Sequence, residues 1–201
     1  ERLVEPDQFG HQLAPFLDAM TLAEDLEVLN LKAIAGEYDM QARHIDIAKL
    51  PVFLENAEQG DYKVQFFRGR GGSAVALAFN QDYDKDPAMA EYITNADFRR
   101  ALSMALAREQ INEAFFLGLG RPASHCAWPD PPYAPGEEYD QLYHQLDVAE
   151  ANRLLDEIGL DQKDSEGFRL LPNGERVVIE MMAVSGAFFD YPGIGEMFGQ
   201  H

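Results

Sequence analysis

Basic residues are scarce in this chain: 16 Lys and Arg stand against 35 Asp and Glu, a formal net charge of −19. With no basic stripe to neutralise phosphates, a nucleic-acid footprint is excluded, and anionic lipid headgroups repel such a surface. Cysteine occurs once, at Cys126, so no internal disulfide forms. A nucleophilic thiol needs a base and an acid placed with it. Only His125 stands nearby, and an inert thiol is the ordinary reading. No run of about 18 apolar residues is present, so no segment reads as a membrane-spanning helix. The chain opens at Glu1 with neither an initiator Met nor a signal-peptide pattern. It closes at Met197–His201 on what reads as the beginning of a helix, and the expectation is a stretch of a longer protein.

Catalytic motifs are missing as well. There is no HExxH, no GxSxG, no P-loop and no metal-ligand pair of cysteines. Histidines 11, 44, 125, 144 and 201 are scattered, none with a second His at helical ligand spacing. Glu137-Glu138 and Asp156-Glu157 lie in polar surroundings and read as solvated surface. The acidic run Asp161–Gly167 has Lys163 where the second oxygen ligand of a calcium loop would stand, so it reads as a turn. Gly69-Arg70-Gly71-Gly72 is followed by a strand pattern and not by a helix N-terminus. Its phosphate-cradle reading therefore lacks a mechanism, and a turn or hinge remains. No catalytic residue, metal site or cofactor is expected.

What is present suffices for a packed core: 46% hydrophobic and 11% aromatic residues. The clearest element is Asn95–Pro122. Asn95 supplies an N-cap, Asp97 an acid in the first turn, and Phe98, Ala101, Leu102, Ala105 and Leu106 an apolar stripe. Gly118 and Gly120 act as stops. Other helices are expected from Glu24 to Gly36, from Asp46 to Gly60 with Pro51 tolerated in its first turn, and from Asp147 to Gly159. The last begins with a capping box and carries Val148, Ala151, Leu155 and Ile158 inward. Strands are expected at Met40–Ile45, Tyr62–Phe67, Ser73–Asn80, Phe168–Leu171 and Arg176–Val184. The last two are joined at Pro172-Asn173-Gly174. Helices alternating with strands predict α/β architecture.

The order of these pieces carries further information. A strand ending in Phe79-Asn80, an Asp86-Pro87 loop and the stretch Phe98–Asn112 come first. Gly118-x-Gly120-x-Pro122, Pro131-Pro132-Tyr133 and Leu146–Leu160 follow. The arrangement resembles the family 5 extracellular solute-binding proteins of bacterial ABC transporters, and the likeness extends upstream through Leu17-Asp18 and Ala35–Asp39. The resemblance implies part of a two-lobed periplasmic-binding-protein-like fold (type II, cluster C), with mixed sheets flanked by helices. It implies residues 1–72 in a first lobe, 73–80 as a crossing or hinge strand, and 81–201 in a second lobe. It further implies a periplasmic or extracytoplasmic receptor that binds a peptide or other small solute and passes it to permease subunits. The groups that pair with peptide termini would lie largely outside this chain.

Three residues are ligand candidates by the placement of their segments. Arg43 could pair a carboxylate, Asn80 could hydrogen-bond a peptide group or fix the hinge, and Trp128 could stack on a ligand from its proline-rich loop. A structural role is the default for each. An α/β enzyme or a non-transport interaction domain stands as the alternative.

Overall fold

A computed structural model describes residues 25–67, 73–125, 132–185 and 189–201. The described residues fall into two compact units. The first holds residues 25–67 with Phe189, and the second holds 73–125, 132–185 and 190–201.

In the first unit α1 spans Leu26–Ile34. Asp25 caps it by accepting from the Val28 N–H, and Glu27 places an acid in its first turn. Gly36, at φ +75°, then turns the chain. A Cβ on Gly36 would lie 2.1 Å from the Gly60 carbonyl oxygen, so two backbones meet there without room for a side chain. A 3-10 turn, Ile47–Lys49, runs into α2 at Leu50–Asn56, where Pro51 sits harmlessly in the first turn. Phe53 is buried and meets the Tyr62 ring edge-on at 6.3 Å, while the Tyr62 hydroxyl donates to the Phe53 carbonyl.

The strand expected at Met40–Ile45 is replaced by a turn. His44 adopts φ +62°, which no β-strand permits. The cause is Asn30, a buried polar side chain on α1. Its amide donates to the His44 carbonyl at 3.0 Å and its oxygen accepts from the Asp46 N–H at 2.9 Å. The His44 carbonyl lies within the expected strand, so Asn30 takes an acceptor that a ladder would have used.

The second unit is built around α3 (Pro87–Thr94), α4 (Ala96–Ala105), α5 (Arg108–Phe116) and α7 (Val148–Glu157). A short turn of helix, α6, occupies Glu137–Asp140, and α8 spans Tyr191–Gln200. Asp86 accepts from the Ala88 and Met89 N–H groups, and Pro87 is pre-set for the first helical position. What reads as a loop in sequence thereby becomes the helix α3. Its Met89, Tyr92 and Ile93 form one core with Phe98, Leu160 and Leu171, against which Leu102, Leu155 and Phe79 pack. A second cluster joins Ala101 and Met104 of α4 to Ala151 and Leu154 of α7. The small Ala101–Ala151 pair lets these two helices approach closely, and theirs is the most extensive helix contact in the unit.

Helix α7 begins as its sequence predicts, with Asp147 accepting from the Glu150 N–H, and the chain turns away just past its end at Gly159, φ +89°. The apolar residue after that glycine, Leu160, is fully buried. Val148, expected to face inward, is exposed, and Leu154 takes the buried position instead.

No extended ladder forms among the described residues. Of two isolated antiparallel bridges, Lys163–Arg169 encloses the turn at 164–168 and Leu170–Arg176 the turn at Pro172-Asn173-Gly174. Tyr62–Phe67, Ser73–Asn80 and Val177–Val184 carry no strand pairing, and Phe66, Phe67, Leu77, Val178, Met182 and Val184 are exposed. Alternation alone cannot make a strand, because each of its backbone groups needs a partner edge.

Candidate functional site

Helix α4 stops at Ala105 although neither Gly nor Pro follows. Its last carbonyls are taken by groups from elsewhere. Arg108 donates through Nη1 to the Ser103 carbonyl at 2.6 Å, and the Asp147 N–H donates to the Met104 carbonyl at 2.9 Å. Leu106 then turns extended and α5 restarts at Arg108. The same guanidinium donates to the His144 carbonyl at 3.0 Å and, through Nη2, to Ser103 Oγ at 2.7 Å. Ser103 Oγ in turn donates to the Tyr143 carbonyl at 2.7 Å. The break between α4 and α5 is thus fastened to the 143–146 segment.

A cavity of about 420 Å³ lies beside this fastening, within the second unit. Arg108, Glu109, Arg121, Pro122, His144 and Leu146 form its walls, with Gln141 and Gln145 between them. Arg121 forms an ion pair with the buried carboxylate of Asp140, whose other oxygen accepts from Gln141 Nε2 at 2.5 Å. The Arg121 hydrogen bond, then that of Gln141, holds the Asp140 carboxyl below the usual carboxylate range. The Ser124 N–H donates to the Asp140 carbonyl at 2.7 Å, binding the 120–125 segment to the same place. His144 Nδ1 stands 2.6 Å from the Gln141 carbonyl, so that nitrogen carries a proton and donates. Burial lowers the pKa of Arg108, which stays a cation at neutral pH. Among the described residues, no group of three or more His, Cys, Asp or Glu is placed to hold a metal ion, and no helix is long and apolar enough to cross a membrane.

The three sequence candidates lie apart from this cavity. Arg43 is exposed on the turn at 43–44, in the first unit, with Nε 3.2 Å from His44 Nε2. Asn80 is exposed in the second unit and uses its side-chain oxygen on the Asp82 N–H at 3.1 Å, closing a turn. Trp128, like Cys126 and the glycine run at 69–72, lies outside the described residues. The cavity's own residues escape sequence reading. Arg121 and Asp140 are 19 positions apart on segments without periodicity, and Arg108 reads as one more charge on a helix surface.

The model of the bacterial extracellular solute-binding proteins, family 5 (Middle), matches residues 22–191. The chain belongs to that family. Among solved structures, the oligopeptide-binding protein OppA matches with a TM-score of 0.58 and 36% sequence identity. That match covers 76% of this chain and 25% of OppA, so the chain spans a quarter of the length of its structural relative. The fold is periplasmic-binding-protein-like over the matched portion. No curated protein matches the chain.

Proposed function

We propose that this chain is part of an extracytoplasmic receptor that binds peptides and delivers them to the permease of an ABC transporter. The observation that carries the reading is the 36% identity with an oligopeptide-binding protein over 76% of the chain. Family membership across residues 22–191 supports it. Binding, not turnover, is the task. On this reading residues 1–72 are part of a first lobe, 73–80 a crossing or hinge strand, and 81–201 part of a second lobe. The exposed extended segments Tyr62–Phe67, Ser73–Asn80 and Val177–Val184 take part in the mixed sheets that complete these lobes, which gives their unpaired backbone groups partners. Arg43, Asn80 and Trp128 are the candidate ligand contacts: Arg43 for a carboxylate, Asn80 for a peptide group and Trp128 for stacking.

Thermal shift of the receptor carrying this chain, against panels of oligopeptides, oligosaccharides and metal chelates, tests the proposal. Peptides raise Tm in proportion to the logarithm of their concentration above Kd. A rise with sugars or chelates alone, and none with peptides, overturns it.

A further inference from the structure

The guanidinium of Arg108 has five N–H donors. Three are used on the protein side: both on Nη1, toward Ser103 and His144, and one on Nη2, toward Ser103 Oγ. The two that remain, Nε–H and the second Nη2–H, form the side-on fork of the guanidinium. That fork matches the two oxygens of a carboxylate or two oxygens of a tetrahedral oxyanion. Neither donor has an acceptor among the described residues, and all three partners of Arg108 are neutral oxygens. Among the described residues the charge therefore has no carboxylate counterpart, although the side chain is half-buried. Arg121, the other guanidinium of the cavity, differs in that Asp140 neutralises it.

We propose that this cavity is a binding site for a carboxylate or small inorganic oxyanion, seated on the free fork of Arg108. The cavity, of about 420 Å³, falls within the range of small-molecule sites. It is larger than a bare sulfate needs, so an organic carboxylate with a body of a few atoms fills it better. Gln141 and Gln145 offer amide donors without charge, and Pro122 and Leu146 give apolar wall for the ligand's body. Glu109, exposed at the rim, is the one carboxylate of the lining residues and opposes the anion. The site lies wholly within one unit and does not depend on the peptide-receptor reading.

The test uses two exposed lining residues, so that the fold is left alone. Gln145→Glu adds a negative charge to the cavity and Glu109→Gln removes one; Arg108 itself, which also ends a helix, is not altered. The full chain, labelled with 15N, is titrated with acetate, succinate, sulfate and inorganic phosphate at constant ionic strength, chloride being replaced. The Arg108 Nε–H resonance and its neighbours are followed by NMR. Saturable shifts are expected in the parent chain. Binding weakens about three- to tenfold in Gln145→Glu and tightens by a similar factor in Glu109→Gln, the effect of one charge at this range. Tighter succinate than sulfate assigns the site to organic carboxylates, and the reverse order to inorganic oxyanions. Shifts that fail to saturate overturn the site, as do affinities unaffected by either substitution. Equal urea midpoints for all three chains verify that folding is unchanged.

Discussion

Arg108 Nη1 lies 2.6 Å from the carbonyl oxygen of Ser103, and that bond closes α4 five residues before the guanidinium's own position in the chain. One side chain ends a helix and grips the 143–146 segment through the His144 carbonyl. Arg108→Ala leaves these acceptors without their donor and should lower unfolding free energy by about 2–4 kcal/mol. Urea denaturation of the two chains measures it. A loss under about 0.5 kcal/mol would mean that water replaces the guanidinium without penalty.

The α4–α7 packing predicts opposite outcomes for two residues on one helix. Leu154 is buried against Ala101 and Met104, whereas Val148 is 55% exposed. Leu154→Ala should cost about 2–5 kcal/mol and Val148→Ala under about 1 kcal/mol, read from urea midpoints. Equal costs would show that the helix faces are misassigned.

Gly36 stands in the left-handed region, and a Cβ there would run into the Gly60 carbonyl oxygen. Gly36→Ala should destabilise the first unit by about 2 kcal/mol or more, since strain and overlap act together. Gly167, also at positive φ but with open space around it, meets strain alone and should lose about 1 kcal/mol on the same change. Hydrogen exchange on each unit separates the two effects.

The Arg121–Asp140 pair predicts an acid limb. Asp140 has a folded pKa below the ordinary value of 3.8, so its contribution is fully present above that value. It is lost as pH falls through the depressed folded pKa. Asp140→Asn should lower stability at neutral pH and flatten the decline below about pH 4. Acid titrations followed by circular dichroism test this. Parallel acid limbs in the two chains would remove the pair as the cause.

How much of this was legible in the sequence depends on how local the cause is. The Asn95 and Asp147 caps and the Gly36 and Gly159 stops follow from residues within one turn of each other, and the structure places them as read. Asp86-Pro87 carried an equally local helix signal that reading it as an acidic loop concealed. The α4–α5 break has no local signal, because it comes from Arg108 and Asp147 reaching back to α4 carbonyls. The turn at His44 is likewise imposed by Asn30, 14 residues away. Strands are expected at Tyr62–Phe67 and Arg176–Val184, but no ladder forms there among the described residues, since a strand needs a partner edge that its own pattern does not supply. Of the site, sequence order identified the family, while the cavity walls depend on contacts between segments that no period links.

The peptide-receptor account stands most directly on isothermal titration calorimetry of the receptor carrying this chain, with defined oligopeptides of two to five residues. One-to-one saturable binding with a negative heat-capacity change, the mark of apolar burial in a closing cleft, is the predicted result. No heat with any peptide, alongside saturable binding of an oligosaccharide or a metal chelate, would contradict it.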